Sequence, residues 1–589
     1  MKLKKGKIVI PTLLIISAFA VVFANVTSLD YCKGVLTKFG SYSELKAFLQ
    51  PRSYSPGYGL YATSLKSLDS SSSTFGSEYS TTNVQVAGVD EADTVKTDGE
   101  YMYVISGNRV VVVRAYPVEE ARVLSRIAIN GTLKQLFLAE NRLIVFYESG
   151  NWYKCNTTVA IHDISDRETP KLLESFVSDG RYLDSRMIGD YVYAIVTKNA
   201  GIVNDSVTLP RIYFKNECTT VSADEVYYSD MPSWCYLFTT VLSTNVQDCS
   251  QKPSYQTILA GYDMQMYVST QNIYLATEYN DNTFLHRIEL HDGEISYAAD
   301  GEVRGTVLNQ FSMDEHEGFL RIATTSWLDD DFIHFDSILK LENNLFILDM
   351  NLKVVGSIGN IAPREKIHSV RFMGDTGYVV TFRKTDPFFV VDLSNPYDPA
   401  MFGELKITGY SDYLHIYDEN HVIGVGKETV AAEQGDFSWY QGVKISLFDV
   451  TEACEPKEIA KYEIGDRGTE SPVLNDHKAF LFDKERKLLV IPVSVAEIDQ
   501  SRYGNNIPAN AYGQLVWQGA YVFTVSLDSE NLIDLKGRIT HVENGNLSDT
   551  SNYVTRALYI NEILYTVSQN KIKMNQLSDL SEVGELKLN

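Results

Sequence analysis

The apolar positions of this chain fall into short runs of five to seven residues that end at Gly, Asn or Asp turns, the spacing of strands rather than helices. Glu100-Tyr101-Met102-Tyr103-Val104-Ile105, Asp190-Tyr191-Val192-Tyr193-Ala194-Ile195, Asn272-Ile273-Tyr274-Leu275-Ala276, Gly318-Phe319-Leu320-Arg321-Ile322 and Gly377-Tyr378-Val379-Val380-Thr381-Phe382 repeat one pattern. A second run closes on Asp: His162-Asp163-Ile164-Ser165, Leu348-Asp349-Met350, Val391-Asp392-Leu393-Ser394 and Phe448-Asp449-Val450-Thr451. Self-similarity at this period marks a repeat architecture. Units begin near Ala92, Leu133, Arg181, Asp263, Val307, Lys366, Gly409, Ser471 and Ser551. Their spacing of roughly 40 to 55 residues suits a four-stranded propeller blade. The fold class expected is all-β, a β-propeller of eight or nine four-stranded blades, eight if the chain's two ends share one. Radial packing lets each sheet cover its neighbour and leaves only short edges. The Asp-Ser/Thr turns and Pro170, Pro396, Pro399 and Pro456 are punctuation, fixing the turn before the next strand.

Outside the repeat the pattern changes. Ser41-Tyr42-Ser43-Glu44 ahead of Leu45, Ala47, Phe48 and Leu49 is a capping box opening a short helix that Pro51 stops. Ser53 to Thr82 is rich in Ser, Thr, Gly and Tyr and reads as a linker or loose strap. Residues 1–25 join four lysines to an apolar run from Ile8 to Ala24, a signal peptide or an uncleaved membrane anchor. The organisation expected is 1–25 for export, 26–82 for helix and linker, and 83–589 for the propeller, with a Cys-bearing insertion at about 199–254.

Composition narrows the picture. Of 589 residues 44% are hydrophobic, with 37 Tyr and 26 Phe, which favours pleated surfaces. A formal charge of -24 excludes a nucleic-acid partner of the ordinary phosphate-binding kind, and contact with membrane is expected only through the N-terminal segment. Six cysteines without CxxC spacing suit disulfides in an exported protein: Cys155, Cys218, Cys235 and Cys249 in one half, with Cys32 and Cys454 able to tie the N-terminal segment to the body. Sequons at Asn25, Asn130, Asn156, Asn204 and Asn546 agree with a glycosylated surface.

Several stretches are similar to the secreted β-propeller domain proteins of archaea and bacteria, most of which lack an assigned activity. They are Thr82-Asn83-Val84-Gln85-Val86-Ala87-Gly88-Val89-Asp90-Glu91-Ala92-Asp93 continuing to Gly99, Val307 to Glu315, Ser369 to Asp375, Asp386 to Ser394 running on to His415, and Asp476 to Phe482. The resemblance implies a propeller outside the cell and brings no catalytic residues with it.

Two constellations could carry chemistry. Asp90, Glu91, Asp93 and Asp98 are the densest acidic group, and hard cations such as calcium take oxygen ligands; the same carboxylates could instead cap turns and pair with bases at ring closure. Lining up the innermost strands places Lys96, Arg186, Gln310, Arg371, His415, His477, Lys478 and Arg556 together, a polar, locally basic axis for a small anion or an acidic segment, or a set of inter-blade ion pairs. HExxH, GxSxG and GxxxxGK[ST] are absent. The function expected is a non-catalytic binding scaffold at the cell surface for an envelope protein or glycan. The alternatives are a polysaccharide hydrolase or lyase using carboxylates that face each other in an open axial pocket, and a calcium-stabilised assembly module.

Overall fold

The computed structural model describes residues 37–50 and 78–589, apart from 152–153, 229–232, 234, 263, 328–340, 384–385, 433–436 and 504–505. The segment proposed for export, Cys32, and most of the linker lie outside the described residues. Among the described residues no helix is long and apolar enough to cross a membrane.

Nine sheets of four or more strands follow one another among the described residues. Their innermost strands open at Val95, Thr132, Arg181, Met264, Thr306, Lys366, Tyr410, Leu481 and Arg556, within a few residues of most of the unit starts read from the sequence. The eighth begins ten residues later because two 3-10 turns, Pro472–Leu474 and His477–Ala479, precede its short first strand.

Each sheet meanders outward and packs on the next. Val110, Val112, Leu143 and Val145 join the first and second sheets; Ile423, Ile445, Leu489 and Ile491 join the seventh and eighth. The ring closes where Met102, Val104, Val111 and Val113 meet Tyr565, Val567 and Ile572 of the ninth. The first and ninth sheets share no strand, since the first is built wholly from residues 95–128 and the ninth wholly from 556–587, and their faces meet by side-chain packing. The Tyr565 hydroxyl donates to the Ala115 carbonyl at 2.7 Å across that joint, and Ser106 Oγ to the Gln569 carbonyl at 2.7 Å. The Asp-ended strands turn as their sequence requires: the Asp163, Asp392 and Asp449 carboxylates each accept the backbone N–H two residues on, at 2.9 Å.

The third sheet carries the excursion, which leaves between its second strand, Tyr191–Asn199, and its third, Tyr236–Asn245. It is shorter than the cysteine spacing suggested, because Tyr236–Asn245 and Ser254–Gly261 are regular strands of the sheet. Within it Arg211–Phe214 and Glu217–Thr220 extend the outer edge of the second sheet. The helix Tyr42–Leu49 is capped by Ser41 Oγ, which accepts from the Glu44 N–H at 3.2 Å, and it buries Leu45 and Leu49 between the second and third sheets. Leu45→Ala is expected to cost about 2–5 kcal/mol, read as a lowered urea midpoint; an unchanged midpoint would show that the helix does not seal this joint.

Among the described residues none of the expected disulfides is formed. Cys155, Cys218, Cys235, Cys249 and Cys454 are all free thiols. Geometry explains one pair: two strands stand between Cys155 and Cys218 in the second sheet, roughly 14 Å at ordinary strand spacing, twice the reach of a disulfide.

Candidate functional site

The centre of the ring is occupied by the chain itself. Tyr79 bridges to Ile560 on the inner edge of the ninth sheet, and the Ser80 N–H donates to the Tyr559 carbonyl at 3.0 Å. Asn83 Nδ2 then donates to the Tyr413 hydroxyl of the seventh sheet and to the His477 carbonyl before the eighth, both at 3.1 Å. Gln85 Nε2 reaches the carbonyls of Gln310 and Met313 at 3.2 and 3.3 Å. Asp90–Glu91 pairs with Arg186 and Met187 on the third sheet, and Asp93 bridges to Leu136 on the second. The strap therefore spans the axial opening before becoming the innermost strand of the first sheet. Its alternation explains the route: Asn83 and Gln85 bond across the axis, while Val86 and Val89 pack against the third, fourth and fifth sheets. Gly99, at φ +93, lets Tyr79 pass, since a Cβ there would lie 2.5 Å from its ring.

All eight residues expected at the axis are brought to this interior, and most find partners within it. Lys96 Nζ donates to Asp90 Oδ1 at 2.8 Å and to the Glu91 carbonyl at 2.6 Å. Arg186 Nη1 donates to Asp184 Oδ2 at 2.8 Å and Nη2 to Gln310 Oε1 at 3.4 Å, with Glu91 Oε1 3.6 Å from its Nε. Arg556 grips Asp93 at 2.9 Å and Asp476 at 2.5 Å, and Lys478 stands 3.7 Å from Asp476. His477 Nε2 is bonded to the Asn83 carbonyl at 3.0 Å and lies 3.8 Å from Glu91. His415 Nδ1 is bonded to the Tyr413 hydroxyl at 2.9 Å; burial, then the Arg371 charge, holds it neutral. Arg371 packs its guanidinium 5.8 Å from the Phe311 ring centre.

The four carboxylates considered for calcium go separate ways. Asp90 pairs with Lys96, Glu91 faces Arg186 and Asp93 binds Arg556. Asp98 accepts from the Tyr101 N–H at 2.7 Å and from Arg167 Nη2 at 3.3 Å. Among the described residues no group of three or more His, Cys, Asp or Glu is placed to hold a metal ion. Sequence reasoning missed Asn83, Gln85, Tyr413 and Ser312 as axial residues; the polar positions alternating with valines in Asn83-Val84-Gln85-Val86 were the available signal.

A family model described as the beta propeller domain matches residues 79–580, beginning where the strap enters the ring. The chain belongs to that family. A protein of Methanocaldococcus jannaschii, described as uncharacterised, is 29% identical over 87% of this chain and 83% of its own length. Another uncharacterised protein, from Archaeoglobus fulgidus, is 28% identical over 87% and 85%. Among solved structures, dihydro-heme d1 dehydrogenase NirN in complex with DHE aligns with a TM-score of 0.27 and 11% identity, covering 64% of this chain and 80% of that chain.

Proposed function

We propose that this propeller is a non-catalytic binding scaffold, exported and held at the cell surface by its N-terminal segment, that captures an envelope protein or glycan on one decorated face. The observation carrying this reading is an exposed aromatic surface on the seventh and eighth sheets. In the eighth sheet the long excursion leaves between the second strand, Leu488–Glu497, and the third, Gln514–Val525, and Phe437 and Tyr440 lie at the connection between the second and third strands of the seventh; in radially ordered antiparallel sheets those connections share one face of the ring. There Phe437, Tyr440 and Tyr512 are 41%, 46% and 65% exposed, beside exposed Val430, Ile507, Leu515 and Val516. Arg467 fastens the two sheets together, its guanidinium 4.6 Å from the Trp439 ring centre and 5.5 Å from that of Tyr512, while Gln441 Nε2 donates to the Ala509 carbonyl at 3.0 Å. Tyr440 continues the surface toward the sixth sheet, 6.2 Å from Phe382. Rigid rings carried on a rigid frame lose little entropy on binding, and clustered exposed apolar side chains mark contact surfaces.

The hydrolase reading asks for carboxylates facing each other across an open axial pocket. Here the strap crosses the axis, and Asp93, Asp184, Asp314 and Asp476 are each engaged by arginine, which favours the scaffold. To test it, the protein and a Tyr440→Ser/Tyr512→Ser/Val516→Ser variant are immobilised and offered solubilised envelope proteins and released envelope glycans. The native chain is expected to retain a defined component that the variant holds about tenfold more weakly. Equal retention by both, or none by either, would remove the proposal.

A further inference from the structure

One axial cation differs from the rest. Arg371 lies in the innermost strand Lys366–Met373 of the sixth sheet and has neither a hydrogen bond nor an ion pair with any described residue; its Nε is buried without an acceptor. Asp314 is the carboxylate whose charge reaches it, and Arg321 already holds that group, donating from Nε at 3.0 Å. The other groups felt by Arg371 are the phenols of Tyr413 and Tyr267, which burial keeps protonated, and the repelling guanidinium of Arg321. Burial pulls the Arg371 guanidinium below its ordinary range, whereas a buried charge is normally paired.

The surroundings share this surplus of donors. Arg371 sits deep in the ring yet keeps part of its surface accessible, as a side chain facing an internal space does. Phe311, against which it packs, belongs to the turn Gln310–Ser312, and that turn also presents Gln310 Nε2 and Ser312 Oγ, both buried without partners. The Gln310 side chain is 5% exposed, and its orientation is fixed because Oε1 accepts from Arg186, leaving the amide N–H groups as free donors. The strap walls this region, with Asn83 on Tyr413 and Gln85 on the Gln310 carbonyl.

We propose that the propeller axis binds one small oxyanion, of the phosphate, sulfate or carboxylate class, between the Arg371 guanidinium and the Gln310–Ser312 turn. A guanidinium fork suits two oxygens of such an ion, and the amide and hydroxyl supply further donors. The strap limits the occupant to a small ion and excludes an extended polyanion. This site is separate from the aromatic face and stands whether or not that face binds a partner.

The test uses the full chain in equilibrium dialysis against radiolabelled inorganic phosphate, with sulfate and acetate as competitors at constant ionic strength. One saturable site per chain is expected, weakened about a hundredfold in Arg371→Met and about tenfold in Gln310→Met. An Arg502→Met control, which alters an exposed arginine paired at the surface with Asp499, should bind as the native chain does. In buffer free of these anions Arg371→Met is expected to melt at or above the native midpoint, because it removes an unpaired buried charge, and added phosphate should raise only the native midpoint. Undiminished binding by Arg371→Met, or no saturable binding of any of the three anions by the native chain, would overturn the proposal. Should Arg371→Met fail to fold, the native and Gln310→Met isotherms decide it.

Discussion

Arg556→Gln is expected to lower unfolding stability by about 3–5 kcal/mol, the cost of stranding buried carboxylates that have lost their cation. One guanidinium on the ninth sheet holds Asp93 of the strap and Asp476 ahead of the eighth sheet, so its loss loosens three elements at once. Arg502→Gln breaks a pair whose partners are 59% and 48% exposed and should change stability by less than about 1 kcal/mol. Urea unfolding of both variants checks the contrast; equal small effects would show that the axial pairs do not hold the ring. The acid limb adds a second signature. Burial alone would raise the Asp476 carboxyl, but Arg556, with Lys478 and His477, more than offsets it and holds the group well below the carboxylate range. A group depressed in the folded state contributes stability above its unfolded pKa, about 3.9, and loses it as pH falls toward the folded value. The native chain should therefore weaken below about pH 4 more steeply than Arg556→Gln.

What the sequence disclosed follows from how local each feature is. Strand starts such as Lys366 and Tyr410 were legible because a meander needs only its own turns, and Asp163 or Asp449 announces each turn two residues ahead. Aligning the innermost strands was enough to gather Arg186, Arg371 and Arg556, since radial order carries position along the strand into position along the axis. The strap was not legible. Asn83, Gln85 and Glu91 bond to Tyr413, Gln310 and Arg186, residues that nothing nearby in sequence points to. Nor could charge counting separate paired arginines from Arg371, because pairing depends on which neighbouring sheet supplies the carboxylate. The free cysteines show the same limit: their number suggested disulfides, but strand order sets the distance between Cys155 and Cys218.

Arg186→Met should lower stability by about 3–5 kcal/mol at neutral pH, and the loss should shrink as the solution is made more acidic, as it does for Arg556→Gln, although here the native carboxyl is raised rather than depressed. Arg186 faces two carboxylates, Glu91 at 3.6 Å and Asp184 at 2.8 Å. Asp184 also accepts the Ser185 N–H at 2.8 Å, whereas Glu91 Oε2 has no hydrogen-bond donor. Burial raises the Glu91 carboxyl above its ordinary value even with Arg186 and Lys478 opposing it. A raised acid favours the folded state most below its unfolded pKa, about 4.3, and that advantage is lost as pH rises through the folded value. Without Arg186 the Glu91 carboxyl rises further, so the variant should be relatively better preserved near pH 5 than near pH 8. Adding Glu91→Gln keeps an oxygen for the Gln85 N–H, now 3.2 Å from Glu91 Oε1, and removes the charge. Urea midpoints of the double variant should recover part of the loss at pH 8 and flatten the pH dependence; a double variant as weak and as pH-dependent as Arg186→Met would place the cost with Asp184. Because Arg371→Met is expected to act in the opposite direction, these variants separate the paired axial arginines that close the ring from Arg371.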